Sequence, residues 1–410
     1  YNITMYIYDV VVIGGGPAGM ISAGKASSLN KNVILLEKNP SLGNKLLITG
    51  GGRCNVTNIN SDLKKIYKKA GKYLYSTYSQ FNIEDTLDFF HNMGMDTKIE
   101  EYGRVFPISN RSQTVLGLLT DYMKKNNVKI ECNTKVLKIE KENEIFNVYT
   151  DKGIIYGKSC IVSTGGLSHP ETGSTGDGFN WLRDLGHNII KPNMALVPIA
   201  LKEKYAKYMP GLALDDVKVT IYVDNIKEFA KRGRILFTHV GLSGPMILNM
   251  SKRIGELLNQ GIVTISLDIY PSYDIGTLRK KLNDILMENN NKTIGNTLHK
   301  FIPKSLVNTI LEVADIDSNI YCHSLKKESR YMIVDSIKNL RLTVNNLLGK
   351  DKAIVSSGGV DIDEINFNTM ESKKIKGLYV VGDMLDIDRP SGGYSLQLCW
   401  STGYVAGIHC

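Results

Sequence analysis

The stretch "YDVVVIGGGPAGMISAGKASSLNKNVILLEK", Tyr8 to Lys38, decides the fold. Val10 to Ile13 is a short apolar, β-branched run, the composition of a strand buried on both faces. Gly14, Gly16 and Gly19 then form a G-x-G-x-x-G at the start of a helical stretch. Gly14 permits the sharp turn, Gly16 lets backbone approach a pyrophosphate, and Gly19 lets the helix pack close on the strand. Pro17 suits a first helical turn, where its missing N–H costs nothing. Phosphates are expected on that helix N-terminus, drawn by its free N–H groups and dipole. A second strand, Val33 to Leu36, ends in Glu37, eighteen residues after Gly19. That is the place of the acid that binds an adenosine ribose, and its charge argues against a 2′-phosphate there.

Working outward, "NKLLITGGGRCNVTN" (Asn44 to Asn58) follows directly. Gly50, Gly51 and Gly52 would let main chain lie against a flat ring, and Arg53 and Asn55 could hydrogen-bond pyrophosphate or ring edge. A plain glycine-rich turn whose Arg53 binds a carboxylate is the competing reading. Near the C-terminus, "GLYVVGDMLDIDRPSGGYSLQLCWSTGYVAG" (Gly377 to Gly407) places Gly382-Asp383 at another strand end, before a glycine-rich segment that opens a helix. The acid suits ribityl hydroxyls, and the helix N-terminus suits the charge on the N1/O2 side of a reduced flavin. NAD needs no such second site. "CIVSTGG" (Cys160 to Gly166) supplies a third strand-end glycine turn, for the adenine-ribose end. Three such turns converging on one sheet edge favour FAD over NAD.

Composition sets the outer limits. The 410 residues suffice for two or three domains, and no apolar run reaches the ~20 residues of a membrane span. No basic stretch precedes the first apolar run, so export is not expected, and a cytoplasmic location is the default. Six cysteines without a CxxC give neither a disulfide framework nor a metal site, and exclude a CxxC disulfide reductase. The net charge of +9 is densest in "KKIYKKAGKY" (Lys64 to Tyr73). Lysines among tyrosines can bind nucleic acid, but the solvated face of a helix is the favoured reading.

The middle of the chain lacks dinucleotide signals. "VKVTIYVD" and "IVTISLDIY" alternate as half-exposed strands do, and "LRKKLNDILMENN", "TIGNTLHKFI" and "KSLVNTILEVA" repeat apolar residues at helical spacing. "YMIVDSIKNLRLTVNN" reads as a return through the strand region. "RILFTHVGLSGPMIL" offers His239 as an acid or base and Gly244-Pro245 as a helix start; "EYGRVFPIS" offers Tyr102 and Arg104 as substrate clamps. A structural role is at least as good a reading for each.

Read together, "GGGPAG", "TGGGRCNVTN", "GRVFPIS", "STGGLSHPETGSTGDG", "LFTHVGLSGP" and "TMESKKIKGLYVVGDMLD…GGYSLQ" span nearly the whole chain in order. The chain thereby resembles the bacterial flavoprotein family that includes aminoacetone oxidase and a bile-acid 3-dehydro-Δ4,6-reductase. The resemblance implies an α/β, doubly wound FAD-binding Rossmann-type domain, with an inserted β-barrel domain and a small helical domain. The expected limits are 1–192 with 345–410, 193–270 with 328–344, and 271–327. Relatives often carry Gly-Glu at Gly382-Asp383, and many carry tyrosine at His169, which makes His169 a further candidate beside the substrate. The expected cofactor wall comprises Gly14, Gly16, Pro17, Ala18, Gly19, Glu37, Lys38, Lys45, Gly51, Gly52, Arg53, Cys54 and Asn55. It continues through Val136, Thr164, Gly165, Gly166, Gly382, Asp383, Gly392, Gly393, Tyr394 and Ser395.

The expected activity is an FAD-dependent oxidoreduction of a small organic molecule. No second G-x-G-x-x-G is present, so the reductant is either transient NADH or NADPH or the substrate itself, with oxygen as acceptor. A tRNA-modifying flavoenzyme and a non-catalytic flavin sensor are the alternatives. A small-molecule partner is expected, without a membrane, and nucleic acid is the less favoured partner.

Overall fold

The computed structural model describes residues 6–195, 197–348 and 355–410. Residues 1–5, which fall within the first expected domain, lie outside them. The chain divides into two units, residues 1–194 with 350–410 and residues 195–349.

The first unit is built on a parallel sheet. Strand β1 (Ile7–Ile13) lies between β2 (Val33–Leu36) and β3 (Gly153–Val162), parallel to both, with Val11 opposite Ile34 and Cys160. Strand β4 (Leu378–Val380) extends the sheet in parallel beyond β3, and 129–131 extends it beyond β2. Val10, Val11 and Val12 are fully buried, so both faces of the C-terminal half of β1 are covered. Antiparallel strands 365–366 and 371–372 finish one edge, and the hairpin 136–150 joins through β3.

Helix α1 (Pro17–Ser28) and helix α3 (Tyr394–His409) cover this sheet, with the short helix α2 (Asn44–Ile48) beside the first turn. Close approach of α1 and α3 depends on glycine. A Cβ on Gly403 would lie 2.5 Å from the Ala18 carbonyl oxygen, and one on Gly407 would lie 2.7 Å from that of Ser22. Trp400 is buried on α3 and donates its indole N–H to the Val56 carbonyl at 2.8 Å, tying the glycine-rich loop to the helix.

In the second unit, strands 199–201, 241–243, 226–237, 213–223, 263–268 and 340–347 close into a barrel in that order. Val217, Val219, Ile221 and Val223 alternate inward along 213–223, the period-2 pattern that places them in the core. Helices 275–288, 304–313 and 327–338 contribute to the same apolar core as the barrel strands. The segment from Tyr331 to Asn346 is therefore half helix and half barrel strand. A helix does begin at Pro245. Among the described residues no helix is long and apolar enough to cross a membrane.

Candidate functional site

A cavity opens at the C-terminal ends of β1, β2, β3 and β4, where a parallel sheet presents its loops. The turn Gly14–Ala18 forms one side, and Gly14, Gly16 and Gly19 of the G-x-G-x-x-G lack a side chain for three different reasons. Gly14 has φ 108°, and its Cβ would lie 2.7 Å from the Ser163 carbonyl oxygen. Gly16 has ordinary extended backbone (φ −83°, ψ −177°), and its Cβ would meet nothing within 4 Å. Gly19 sits off the wall, where a Cβ would lie 1.9 Å from the Gly14 carbonyl oxygen. The helix N-terminus at Gly16 carries no side-chain cap, so its N–H groups are open to a ligand.

Glu37 follows β2 and lines the cavity. Its two carboxylate oxygens accept the Gly15 and Asn39 N–H groups, both at 2.8 Å, which braces the turn. Lys38 pairs with Asp177 at 2.9 Å and donates to Thr175 at 2.6 Å. Val136, Thr164 and Gly165 complete this end, together with Thr134 and Trp181.

At the opposite end stands Asp383, just past β4. Lys45, on α2, donates to its carboxylate at 3.3 Å and to Ser168 Oγ at 2.6 Å. Arg389 holds the other carboxylate oxygen through Nη2, and also donates to Ser395 Oγ at 2.9 Å and the Ile387 carbonyl at 2.6 Å. Burial pushes the Asp383 carboxyl up, but Arg389 and Lys45 outweigh it and hold it below the usual carboxylate range. Cys399 lines the wall beside it, its thiol pushed up to about 12 by burial first and by the Asp383 charge second.

The other expected cofactor residues are placed differently. Gly50, Gly51 and Gly52 all have positive φ, as their loop requires, but only Thr49 of that loop reaches the cavity wall. Arg53 makes a two-pronged pair with Glu100 at 2.9 and 3.1 Å and stacks over Phe106 at 4.0 Å. Arg53 thus engages a carboxylate at the edge of its loop. Cys54 is buried with φ 61°, its thiol also pushed up to about 12 by burial. Asn55 Oδ1 is buried without a hydrogen-bond partner. Gly392 and Gly393 are clasped by the loop opposite. Asn58 donates to the Gly392 carbonyl at 2.8 Å, and a Cβ on Gly393 would lie 2.4 Å from the Thr57 carbonyl oxygen. The Tyr394 carbonyl accepts from Tyr67 Oη at 3.1 Å, while Ser395 lines the cavity. Gly166 and Gly382 are buried behind the wall, with Gly382 N–H on Thr402 Oγ1 at 3.0 Å.

Of the acid–base and clamp candidates in the first unit, His169, Tyr102 and Arg104 do not line this wall. His169 has φ 56° and pairs through Nδ1 with Glu171 at 2.8 Å. Tyr102 is 63 % exposed, and Arg104 donates to the Glu101 carbonyl at 3.0 Å. His239 belongs to the second unit, where it is exposed. Sequence reasoning missed Thr49, Thr134, Asp177, Trp181, Cys399 and above all Arg389. A signal existed for the last: an acid expected to be buried demands a cation, and Arg389 is six residues on.

A glycine turn on a helix N-terminus, an acid at the next strand end and a second acid across the same sheet edge define a dinucleotide-binding Rossmann-type protein. The HI0933-like protein Rossmann domain family matches residues 8–409, and the chain belongs to that family. It is 30 % identical to the 3-dehydro-bile acid delta(4,6)-reductase of Clostridium scindens, over 97 % of both chains. It is 28 % identical to the ribosomal RNA dihydrouridine synthase of Escherichia coli, over 97 % of this chain and 96 % of that one. In fold it is similar to the 3-ketosteroid delta1-dehydrogenase of Sterolibacterium denitrificans, with a TM-score of 0.55, 12 % identity and coverage of 98 % and 99 %.

Proposed function

We propose that this protein is an FAD-dependent reductase that saturates a carbon–carbon double bond conjugated to a carbonyl group. The observation that carries the reading is the shared wall: the Gly14–Ala18 turn, Glu37, Asp383 and Ser395 face one cavity from separate strand ends. Its two ends suit the two halves of FAD. The turn and the α1 N-terminus would hold the pyrophosphate, where the empty space at Gly16 leaves room for it. Glu37 would accept from the adenosine ribose, and Asp383 from the ribityl chain. The α3 N-terminus, which carries no acidic residue or side-chain cap, favours negative charge at the Asp383 end.

FAD held by these residues would supply hydride-transfer chemistry toward the carbon β to the carbonyl, with a nicotinamide nucleotide as the reductant. The protein's part is to position the acceptor and keep the site dry. The names of both full-length relatives support this bond class, since each describes the addition of two hydrogens across a carbon–carbon double bond. Anaerobic addition of NADH, then NADPH, to the purified protein tests it. Bleaching of the flavin, reversed by a 3-oxo-Δ4 steroid or by uridine-containing RNA, is the expected result. A protein that cannot be loaded with FAD refutes the reading.

One observation favours the RNA substrate. Lys64, Lys65, Lys68, Lys69 and Lys72 are all exposed and make no ion pair among the described residues. Their inner neighbour Tyr67 bonds directly to Tyr394, adjacent to cavity-lining Ser395. The uracil C5=C6 bond is itself conjugated to a carbonyl. If RNA docks on this face, log affinity falls linearly with log salt, by about 0.7 per single-strand phosphate contact. Neutralising the five lysines must then flatten that slope. An unchanged slope returns the substrate to a small enone.

A further inference from the structure

We infer that Lys45 and Arg389 leave the Asp383 end of the cavity with one unneutralised positive charge that favours the negatively charged, reduced form of the bound isoalloxazine ring. The inference rests on the FAD reading. Two cations meet one carboxylate here: Asp383 lies between Arg389, whose side chain is 1 % exposed, and Lys45, which lines the cavity. Among the described residues, the other carboxylates on the cavity wall are Glu37, at the other end and bound to backbone N–H groups, and Asp177, paired with Lys38. Asp386 and Asp388, on the loop that carries Arg389, are half-exposed, so solvent screens them more strongly than the buried set.

The surplus charge lies where the fold already directs positive potential. Ser395, held by Arg389 Nε, is in the first turn of α3, a sixteen-residue helix whose N-terminus has no acidic residue or side-chain cap. In a buried setting such charges act over several ångströms with little screening. Arg389 does not touch the cavity. It is a positioning residue, acting through Asp383 and Ser395 and through its own charge.

The test is the two-electron midpoint potential of the FAD-loaded protein, measured by equilibration with reference dyes. Arg389→Met, which keeps the stem but removes the charge, is expected to shift the reduction equilibrium at least tenfold toward the oxidised form. That is a potential lower by about 30 mV. Arg389→Lys, which restores charge without the three-way hydrogen bonding, is expected to recover most of the shift. Sulfite affords an independent readout. Its sulfur lone pair bonds to flavin N5 and its electron pair enters the ring, giving an anionic adduct without any other reactant. Its affinity is expected to fall tenfold or more in Arg389→Met. Loaded Arg389→Met with wild-type potential and sulfite affinity overturns the inference while leaving the FAD reading intact. If both variants lower the potential equally, Arg389 acts through geometry alone and the charge argument is overturned. A wild-type protein that binds no FAD overturns the underlying reading and the inference with it.

Discussion

Replacement of Gly16 by alanine separates the fold from the cofactor. The backbone at Gly16, φ −83° and ψ −177°, is one that any L-residue adopts, and a Cβ there meets no atom within 4 Å. The ligand-free protein should therefore accept the methyl group. Loss of glycine freedom in the unfolded chain should even stabilise it, by about 0.4–1 kcal/mol. The methyl group points into the cavity, where the pyrophosphate would come closest to the backbone. An extra methyl in a fitted contact costs about 1–3 kcal/mol. At about 1.4 kcal/mol per decade, FAD should bind roughly 5- to 150-fold more weakly. Thermal melts of the stripped protein and a fluorescence titration with FAD measure the two halves separately. An unchanged FAD affinity on an intact fold would show that no phosphate passes Gly16, and the dinucleotide reading would fail. A destabilised stripped protein would instead refute the open-space geometry.

Gly19→Ala should behave oppositely, since its Cβ would lie 1.9 Å from the Gly14 carbonyl oxygen and 2.5 Å from Ser163 Oγ. Overpacking at this strand–helix contact should cost about 1–3 kcal/mol or more, seen as a lower melting temperature even without FAD. His187 is buried between Glu364, at 2.7 Å from Nδ1, and Ser372 Oγ, at 2.9 Å from Nε2, with Lys374 also on Glu364. Burial lowers its pKa below the ordinary 6.5, more than Glu364 raises it. The unfolded chain then binds the proton more readily, so stability present above pH 6.5 is lost as pH falls through the lower folded value. Urea midpoints at pH 5.5 and 7.5 should converge in His187→Gln, and an equal drop in both proteins would exclude His187 as the source. Of six cysteines, Cys132 is half-buried and Cys54, Cys160, Cys322, Cys399 and Cys410 are buried. A thiol reagent should therefore titrate one group in the native protein and six after unfolding; rapid reaction of two or more would contradict the burial.

What could be read in advance depended on whether the chemistry sits in the backbone or in a distant partner. The first turn was legible because its requirements are local: Gly14 must turn, Gly16 must be bare and Gly19 must be thin, whatever the rest of the chain does. Strands β1, β2 and β4 were legible for the same reason, as unbroken apolar runs with an acid or glycine at the exit. Loop 49–55 was only half legible. Its three glycines announce positive φ, and all three have it, but the direction of Arg53 was set by Glu100, forty-seven residues away. No spacing rule connects those two positions. The same holds for Lys38, taken by Asp177, and for the loop that brings Ser168 to Lys45.

Asp383 shows where such reasoning could go further. A strand-end acid beside a glycine turn was read as a hydroxyl acceptor for the cofactor, and that asks nothing about its charge. Its burial does ask: an ionised carboxylate kept from water needs a cation, or it takes up a proton. The structure supplies two cations, one of them almost fully buried itself. A single cation would have neutralised the acid, so the second leaves a net positive end on a cavity whose other charged lining residues are Glu37 and the Lys38–Asp177 pair. That excess suits the Asp383 end to electron-rich chemistry, while Glu37, held by backbone N–H groups, suits the other end to simple recognition.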